Sequence, residues 1–457
     1  MKKVFTLQFI NNHVFFSLII ILLFFNACKN DTISNGEQPL ILISMDGFRW
    51  DYFDKTETPN FDELISGGSK AAALIPSFPT KTFPNHITIV TGKYPENHGI
   101  VANRMYDNVF DEYYYIGQGS KPVLDGKWYE AEPIWVTAER QDRRAMTMFW
   151  PASEAEIMGV RPTEYFVYDG SVSHNDRIDQ ILEWVDYPSE KRPKFISTYF
   201  SHTDDFGHQY GPDSDEILKA IGEMDRTIGR LIFGLKTRGL FEEVNIVLVS
   251  DHGMAKTSSD SMIFLDDLID MDLINIIDGS PVAAIKPIDN IDSIYNVFKN
   301  SNKSMDIYKK GATPERLHYN NHRRIQPLTL SAKEHWSIST HDYFLEDDHA
   351  QYFNGATHGY DPKYISMRGI FLAHGIPALA PPLPSYVEVI KKSKGGKICK
   401  SYSEWASALD EIIEKPESLW EWSQLAQKGM GSYSTEHVVL QYVELFQQLL
   451  DSKKILK

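Results

Sequence analysis

Cysteine is nearly absent: the 457 residues hold two, Cys28 and Cys399. A disulfide framework is thereby excluded, so the fold must rest on burial and on any metal it binds. Cys399 sits between lysines in Lys397-Ile398-Cys399-Lys400 and reads as a half-buried structural thiol. An apolar run of membrane-spanning length is also missing, since Val14 to Phe25 falls short of the roughly 20 residues a comfortable span needs. Positive charge is in deficit, with a formal net charge of -16, which argues against a duplex nucleic-acid binder. It does not argue against a small anionic partner, because bound cations reverse the sign locally. Repeats and low-complexity tracts are absent too. What is present is an ordinary globular composition, 42% hydrophobic and 24% charged, with length enough to bury one large core or two.

The first 27 residues have the layout of a targeting segment: Lys2 and Lys3, the short apolar run, then Asn26-Ala27-Cys28. A small residue followed by cysteine resembles the lipobox of bacterial lipoproteins, although Phe25 and Asn26 are not its usual residues. The expectation is a signal peptide over 1–27 and an acylated Cys28. A polar tether over 28–39 would then carry an exported domain on the periplasmic or outer face of a bacterial membrane. An uncleaved N-terminal anchor is the alternative. Loss of Lys2 and Lys3 would take the charge from -16 to -18.

Beyond the tether, apolar strands and amphipathic helices alternate. Leu40 to Met45, Ala145 to Trp150, Lys194 to Phe200, Asn245 to Ser250 and Gly369 to Ala373 read as strands. Helices are expected from Pro59 after Thr58, over Glu132 to Arg140, over His174 to Val185, and after Pro212 with Ile217, Leu218, Ile221, Met224, Ile228, Leu231 and Leu235 on one face. The alternation predicts an α/β fold with a mainly parallel sheet and helices on both faces. One domain spans about 40–400, a region inserted at about 255–345 loosens the pattern, and a helical extension closes the chain over 401–457.

Two features stand out chemically. In Lys81-Thr82-Phe83-Pro84-Asn85-His86 a threonine precedes a proline suited to the first turn of a helix, facing unpaired N–H groups and the positive end of the helix dipole. Alone, such a threonine reads as a helix cap. The second feature is Asp46, Asp204 and Asp251, each following an apolar strand, where ligands of open α/β sheets collect. His208 stands four residues after Asp204, His252 beside Asp251, and His358 in a glycine-flanked loop. This mixed carboxylate and imidazole set suits zinc better than calcium or magnesium, and six ligands with one presented hydroxyl are enough for two ions. His202 and Asp205 compete as ligands on spacing alone. His86 reads as a packed structural histidine.

In order along the chain, Met45-Asp46-Gly47-Phe48-Arg49, the Lys81 to His86 stretch, Asn97-His98-Gly99-Ile100 running to Asn103, Phe149-Trp150-Pro151, Tyr168-Asp169-Gly170-Ser171-Val172, Asp204 to His208, Ser250-Asp251-His252-Gly253 and His358-Gly359-Tyr360 resemble the nucleotide pyrophosphatase/phosphodiesterase family of the alkaline phosphatase superfamily. The resemblance covers about 40–375. It implies Asp204, His208 and His358 around one zinc, and Asp46, Asp251, His252 and the Thr82 oxygen around the other. It further implies that Thr82 is the nucleophile and that Asn103 helps hold phosphoryl oxygens. Phe83 and Tyr168 would stack a nucleobase with Trp150 nearby, and Lys81 would bind substrate; from the residues alone the three aromatics read as core. Ala131, Ala152 and the pair Asp205-Phe206 depart from the family pattern at the approach to the pocket, which leaves the substrate more open than the chemistry.

The expected reaction is hydrolysis of phosphodiester or pyrophosphate bonds of small anionic substrates through a threonyl-phosphoryl intermediate. A lipid head-group diesterase, a monoesterase of the same superfamily, and a non-catalytic nucleotide-binding lipoprotein are the rivals. No Cys/Ser-x-Pro-x-Arg context exists for a sulfatase.

Overall fold

Leu40–Met45 is apolar apart from Ser44, and burying it on both faces makes it the central strand, β1, of the computed structural model. The structure describes residues 39–380 except 118, 302, 347–348, 350–352 and 376–377, together with 396–399 and positions 401, 403–404, 407–408, 411 and 415. The expected signal peptide, Cys28 and the tether up to 38 lie outside the described residues, as does nearly all of the 401–457 extension. Cys399 is described and buried. Among the described residues no helix is long and apolar enough to cross a membrane.

After β1 come α1 (Pro59–Ser66), β2 (Gly68–Lys70), α2 (Thr82–Thr91), α3 (Ile134–Arg140), β3 (Ala145–Met148), β4 (Glu164–Phe166), α4 (His174–Val185), β5 (Phe195–Phe200), α5 (His202–Tyr210), α6 (Asp215–Thr237) and β6 (Asn245–Val249). The inserted region supplies β7 (Ile274–Asp278), β8 (Val282–Pro287), α7 (Ile291–Ser301), β9 (Met305–Lys309), β10 (Leu328–Ala332) and α8 (His341–Leu345), and β11 (Phe371–His374) returns to the core. The seven-stranded sheet runs β2-β11-β6-β1-β5-β3-β4. β1 pairs in parallel with β5 and β6, and β3 in parallel with β4 and β5, while β11 runs antiparallel between β6 and β2. The expected mainly parallel α/β fold is thus observed.

Two apolar layers cover the sheet. One joins β1 and β5 to α1, α4 and α6, where Ile217, Ile221, Met224, Ile228, Leu231 and Leu235 are fully buried. Leu218, expected on that stripe, is only partly buried. The other packs α2 with Trp128, Trp135 and Trp150. The inserted region has a core of its own beneath an antiparallel sheet ordered β7-β8-β10-β9.

α2 explains why Thr82 is available. Its N-cap is Lys81, in extended backbone with no side-chain cap bond, and Thr82 is the first helical residue. The capping role that Thr82 alone suggested therefore belongs to another position, and its hydroxyl is not spent there. Pro84 falls in the first turn, where no N–H is missed, and Gly92, at φ 64°, ends the helix in the left-handed region that glycine tolerates.

Candidate active site

β1, β5 and β6 end together, and the residues just past them converge. Asp46 follows β1, Asp204 lies in the first turn of α5, and Asp251 and His252 follow β6. His252 Nε2 is 3.0 Å from an Asp251 oxygen and 3.3 Å from Asp46 Oδ1. α5 places His208 one turn after Asp204, 3.4 Å apart. His358 arrives from its loop, stacked on His252 with ring centres 3.5 Å apart, and lies 5.1 Å from the His208 ring.

Three overlapping donor groups result: Asp204, His208 and His358; Asp46, Asp204 and His252; and Asp46, His86 and Asp251. Whether they suit a cation is decided by what their atoms already bind. Asp46 Oδ1, Asp204 Oδ1 and Asp251 Oδ2 are buried carboxylate oxygens without a hydrogen-bond donor among the described residues. The three histidines each engage a backbone carbonyl through Nδ1: His208 with Ala356 at 2.9 Å, His252 with Gly253 at 2.9 Å and His358 with Thr80 at 2.8 Å. That arrangement fixes the tautomer and turns every Nε2 toward the carboxylates, as metal-ligating histidines are usually held. The residues fit metal.

The electrostatics agree. Burial, then the neighbouring Asp251 and Asp204 charges, pushes the Asp46 carboxyl well above the usual range, and burial does the same to Asp251. His358 is pushed well down by burial first and by His252 and His208 next, toward the neutral form that ligates. Without a cation these carboxylates are a concentrated electrostatic penalty.

Thr82 Oγ1 lies 3.5 Å from His252 Nε2, half-buried at the N-terminus of α2. Asn103 accepts from the Phe83 N–H at 3.0 Å, which orients its amide at the same helix end. Phe83 and Tyr168 are both partly buried; Phe83 meets Tyr114 edge-on and Tyr168 meets Phe149 and Tyr199. Their partly open rings suit the stacking role.

Two residues expected near the substrate are enclosed in this structure. Trp150 is fully buried and meets His86 edge-on, packed in the core with α2. Lys81 is buried and ion-paired with Asp278 at the end of β7, with Nζ 3.4 Å from the Val282 carbonyl. It fastens the inserted sheet to the residue before Thr82.

The competing ligands are also placed. His202 Nε2 is 2.7 Å from Glu223, away from the cluster, and Asp205 accepts from Ser201. His86 spends both nitrogens, Nδ1 with the Thr82 carbonyl at 2.8 Å and Nε2 with Ser44 Oγ at 2.7 Å, and burial lowers it to about 3. Although it lies 3.4 Å from Asp251, it supports Thr82 as a neutral imidazole and has no nitrogen left for metal.

Sequence reading missed Tyr199, which donates to Asp46 Oδ2 at 2.5 Å, and Thr203, which donates to the Asp46 carbonyl at 2.6 Å. A signal for Tyr199 existed: Ser44 and Tyr199 are polar residues in apolar strands, each one position before the strand ends, and they are register partners. Asp278 left no local signal.

Residues 40–361 match the family model "Type I phosphodiesterase / nucleotide pyrophosphatase". Human ectonucleotide pyrophosphatase/phosphodiesterase family member 5 is 38% identical over 346 residues, 75% of this chain and 70% of the relative. The Xenopus laevis bis(5'-adenosyl)-triphosphatase is 36% identical over 363 residues, 78% of this chain and 77% of the relative. Among solved structures, the inactive threonine-to-alanine form of murine family member 5 in complex with AMP is 37% identical, with TM-score 0.70 over 74% of this chain and 88% of that one. The converged carboxylates, imidazoles and helix-end threonine therefore sit within a chain that belongs to the type I phosphodiesterase/nucleotide pyrophosphatase family.

Proposed function

We propose that this protein hydrolyses phosphodiester and pyrophosphate bonds of nucleotides, with Thr82 as nucleophile and two zinc ions held by Asp204, His208 and His358 and by Asp46, Asp251, His252 and Thr82. One observation carries the reading: the Thr82 hydroxyl, free of any capping duty, stands 3.5 Å from His252 at the edge of Asp46, Asp204 and Asp251, each with a buried oxygen that has no hydrogen-bond donor among the described residues. The AMP complex of the murine relative, made with a threonine replaced, supports the substrate class. The mixed donor set supports zinc.

Bound metal would supply charge neutralisation and acidify the hydroxyl. The chain supplies the rest. The N-terminus of α2 and the Asn103 amide meet the phosphoryl oxygens, and Phe83 and Tyr168 flank the base. His86 holds the Thr82 carbonyl. Thr82 Oγ1 bonds to phosphorus as the bond to the leaving oxygen breaks, and water later cleaves the threonyl ester. At its N-terminus we expect acylation of Cys28 and retention at a bacterial membrane; the mature protein's first residue should carry an acyl mass.

The test is cleavage of thymidine 5'-p-nitrophenyl phosphate by wild type, Thr82→Ala and Thr82→Ser, with bound metal counted by elemental analysis. Alanine should lower the rate by about three or more orders of magnitude while most of the metal remains, and serine should restore much of it. An alanine variant with near-normal turnover refutes the nucleophile. A protein that binds no zinc refutes the metal assignment.

A further inference from the structure

At the N-terminal ends of β3 and β5, the end of the sheet away from the carboxylate cluster, lies a cleft of about 340 Å³. Its walls are the turns that feed the two strands: Arg143 and Arg144 stand just before Ala145, and Arg192 and Lys194 just before Phe195. Asp142 and Glu190 are the carboxylates among its lining residues. Four basic side chains against two acidic ones make the cleft positive, in a chain of formal charge -16. Its arginines are also unmatched. Elsewhere Arg230, Arg238 and Arg316 each pair with an aspartate. Arg143, Arg144 and Arg192 have no ion pair among the described residues, and Arg192 spends only its Nε, on the Tyr187 carbonyl at 3.2 Å.

We propose that this cleft is a docking surface for the headgroups of anionic phospholipids, and that it turns the domain so that the candidate active site faces away from the membrane. The approach to the membrane rests on the expected acylation of Cys28, not on the catalytic reading.

Position comes from the backbone. Leu40, the first residue of β1, donates to the Lys194 carbonyl at 3.0 Å, and the Lys194 N–H donates to the Arg144 carbonyl at 2.8 Å. The chain therefore enters the fold beside the cleft. Residues 29–39 stand between Cys28 and β1 and reach about 40 Å at full extension, so an acyl anchor keeps this end of the sheet within reach of the lipid surface. The tether limits distance without choosing an orientation. Charge chooses it: an anionic surface attracts each arginine by about fivefold in affinity and repels the rest of an acidic domain. Guanidinium also suits the headgroup by shape, since its planar fork meets two phosphate oxygens at once.

The orientation bears on the candidate active site. β1 and β5 run in parallel from the cleft end of the sheet toward Asp46 and α5, and strands of that length carry the chain about 20 Å. With the cleft on the membrane, Thr82 and the carboxylates open toward the aqueous phase, where nucleotides are dissolved.

The test reads orientation instead of activity. With Cys28 acylated and Cys399 buried, a thiol-reactive fluorophore on the full chain carrying Ser189→Cys reports the cleft alone. The protein is reconstituted into vesicles of phosphatidylcholine, with or without about a third phosphatidylglycerol, that carry a quencher on the lipid headgroups. Quenching should appear only with phosphatidylglycerol and vanish in about 1 M NaCl, where charge is felt over about 3 Å. Arg143→Gln, Arg144→Gln and Arg192→Gln should each lower the ratio of docked to undocked protein by about fivefold, with melting temperature and cleavage of thymidine 5'-p-nitrophenyl phosphate unchanged. Equal quenching in both vesicle types, or quenching indifferent to salt and to all three variants, overturns the proposal. A label that responds to inorganic phosphate and to neither vesicle overturns it too, and makes the cleft a small-anion site. Where no acyl mass is found on Cys28, Cys28→Ser is added and the chain is mixed with the same vesicles; the anchor reading then fails by itself, and the dependence on phosphatidylglycerol still decides the docking.

Discussion

Lys81 and Asp278 make the sharpest contrast between what the family resemblance implies and what the structure shows. If Lys81 bound substrate, Lys81→Met would raise KM and leave stability alone. In the structure both side chains are nearly buried, 7% and 12% exposed, and pair with each other across the junction of the inserted region and the start of α2. Removing one partner of a buried pair strands the other charge, at a cost of about 3–5 kcal/mol. The carbonyls of Gly279 and Val282, 3.5 and 3.4 Å from Nζ, still hold the ammonium after Asp278→Asn, so the lower end, about 3 kcal/mol, is expected there. Lys81→Met combined with Asp278→Asn strands no charge and should recover much of the loss, a coupling of about 2 kcal/mol in the double-mutant cycle. Because Lys81 is the N-cap residue of α2 and Thr82 the next, both single variants should lower kcat more than they raise KM. Denaturant unfolding of the four proteins, with kcat and KM measured on the nitrophenyl diester, checks this. Additive stabilities with a rise in KM for Lys81→Met alone would refute the anchoring role and restore Lys81 to the substrate.

Three further outcomes follow from the same geometry. Glu154 is buried with Oε2 unpartnered among the described residues, and burial raises its carboxyl to about 7. A raised folded value opposes folding as pH climbs from about 4.5 through 7, by up to about 3 kcal/mol. Glu154→Gln should therefore melt like wild type near pH 5 and higher than wild type at pH 8.5; equal melting at both would sink the argument. Replacing His86, whose two nitrogens hold Ser44 and the Thr82 carbonyl, by phenylalanine should cut kcat by at least about tenfold with bound metal retained by elemental analysis. Chelation should abolish turnover and lower the melting temperature at pH 8, since the carboxylates then face one another uncompensated; unchanged melting would mean the cluster holds no structural charge balance.

Legibility followed the range of the interactions. β1, α4 and α6 were readable because burial period and turn chemistry are local: α4 starts and stops at the expected His174 and Val185. The convergence of Asp46, Asp204 and Asp251 was readable because strand ends of a parallel sheet share one edge. α5 was not anticipated as a helix, since its aspartates and histidines carry function where an amphipathic stripe would otherwise be written. β11 was recognised as a core strand, but its antiparallel direction depends on how the chain re-enters after the inserted region, which no local pattern encodes.

Trp150 and Lys81, both expected near the substrate, are enclosed for different reasons. Trp150 and Lys81 adjoin functional residues in sequence, and a motif treats neighbours alike. Packing does not: Trp150 is enclosed beneath α2, while Lys81 points to a partner 197 positions away. That partner, Asp278, also lines the cleft beside His208. The inserted sheet thus both holds the backbone just before Thr82 and walls the cleft beside His208. Changes in the inserted region should accordingly disturb Thr82 and the cleft beside His208 before they disturb Phe83 and Tyr168, whose ring partners Tyr114, Phe149 and Tyr199 lie outside that region.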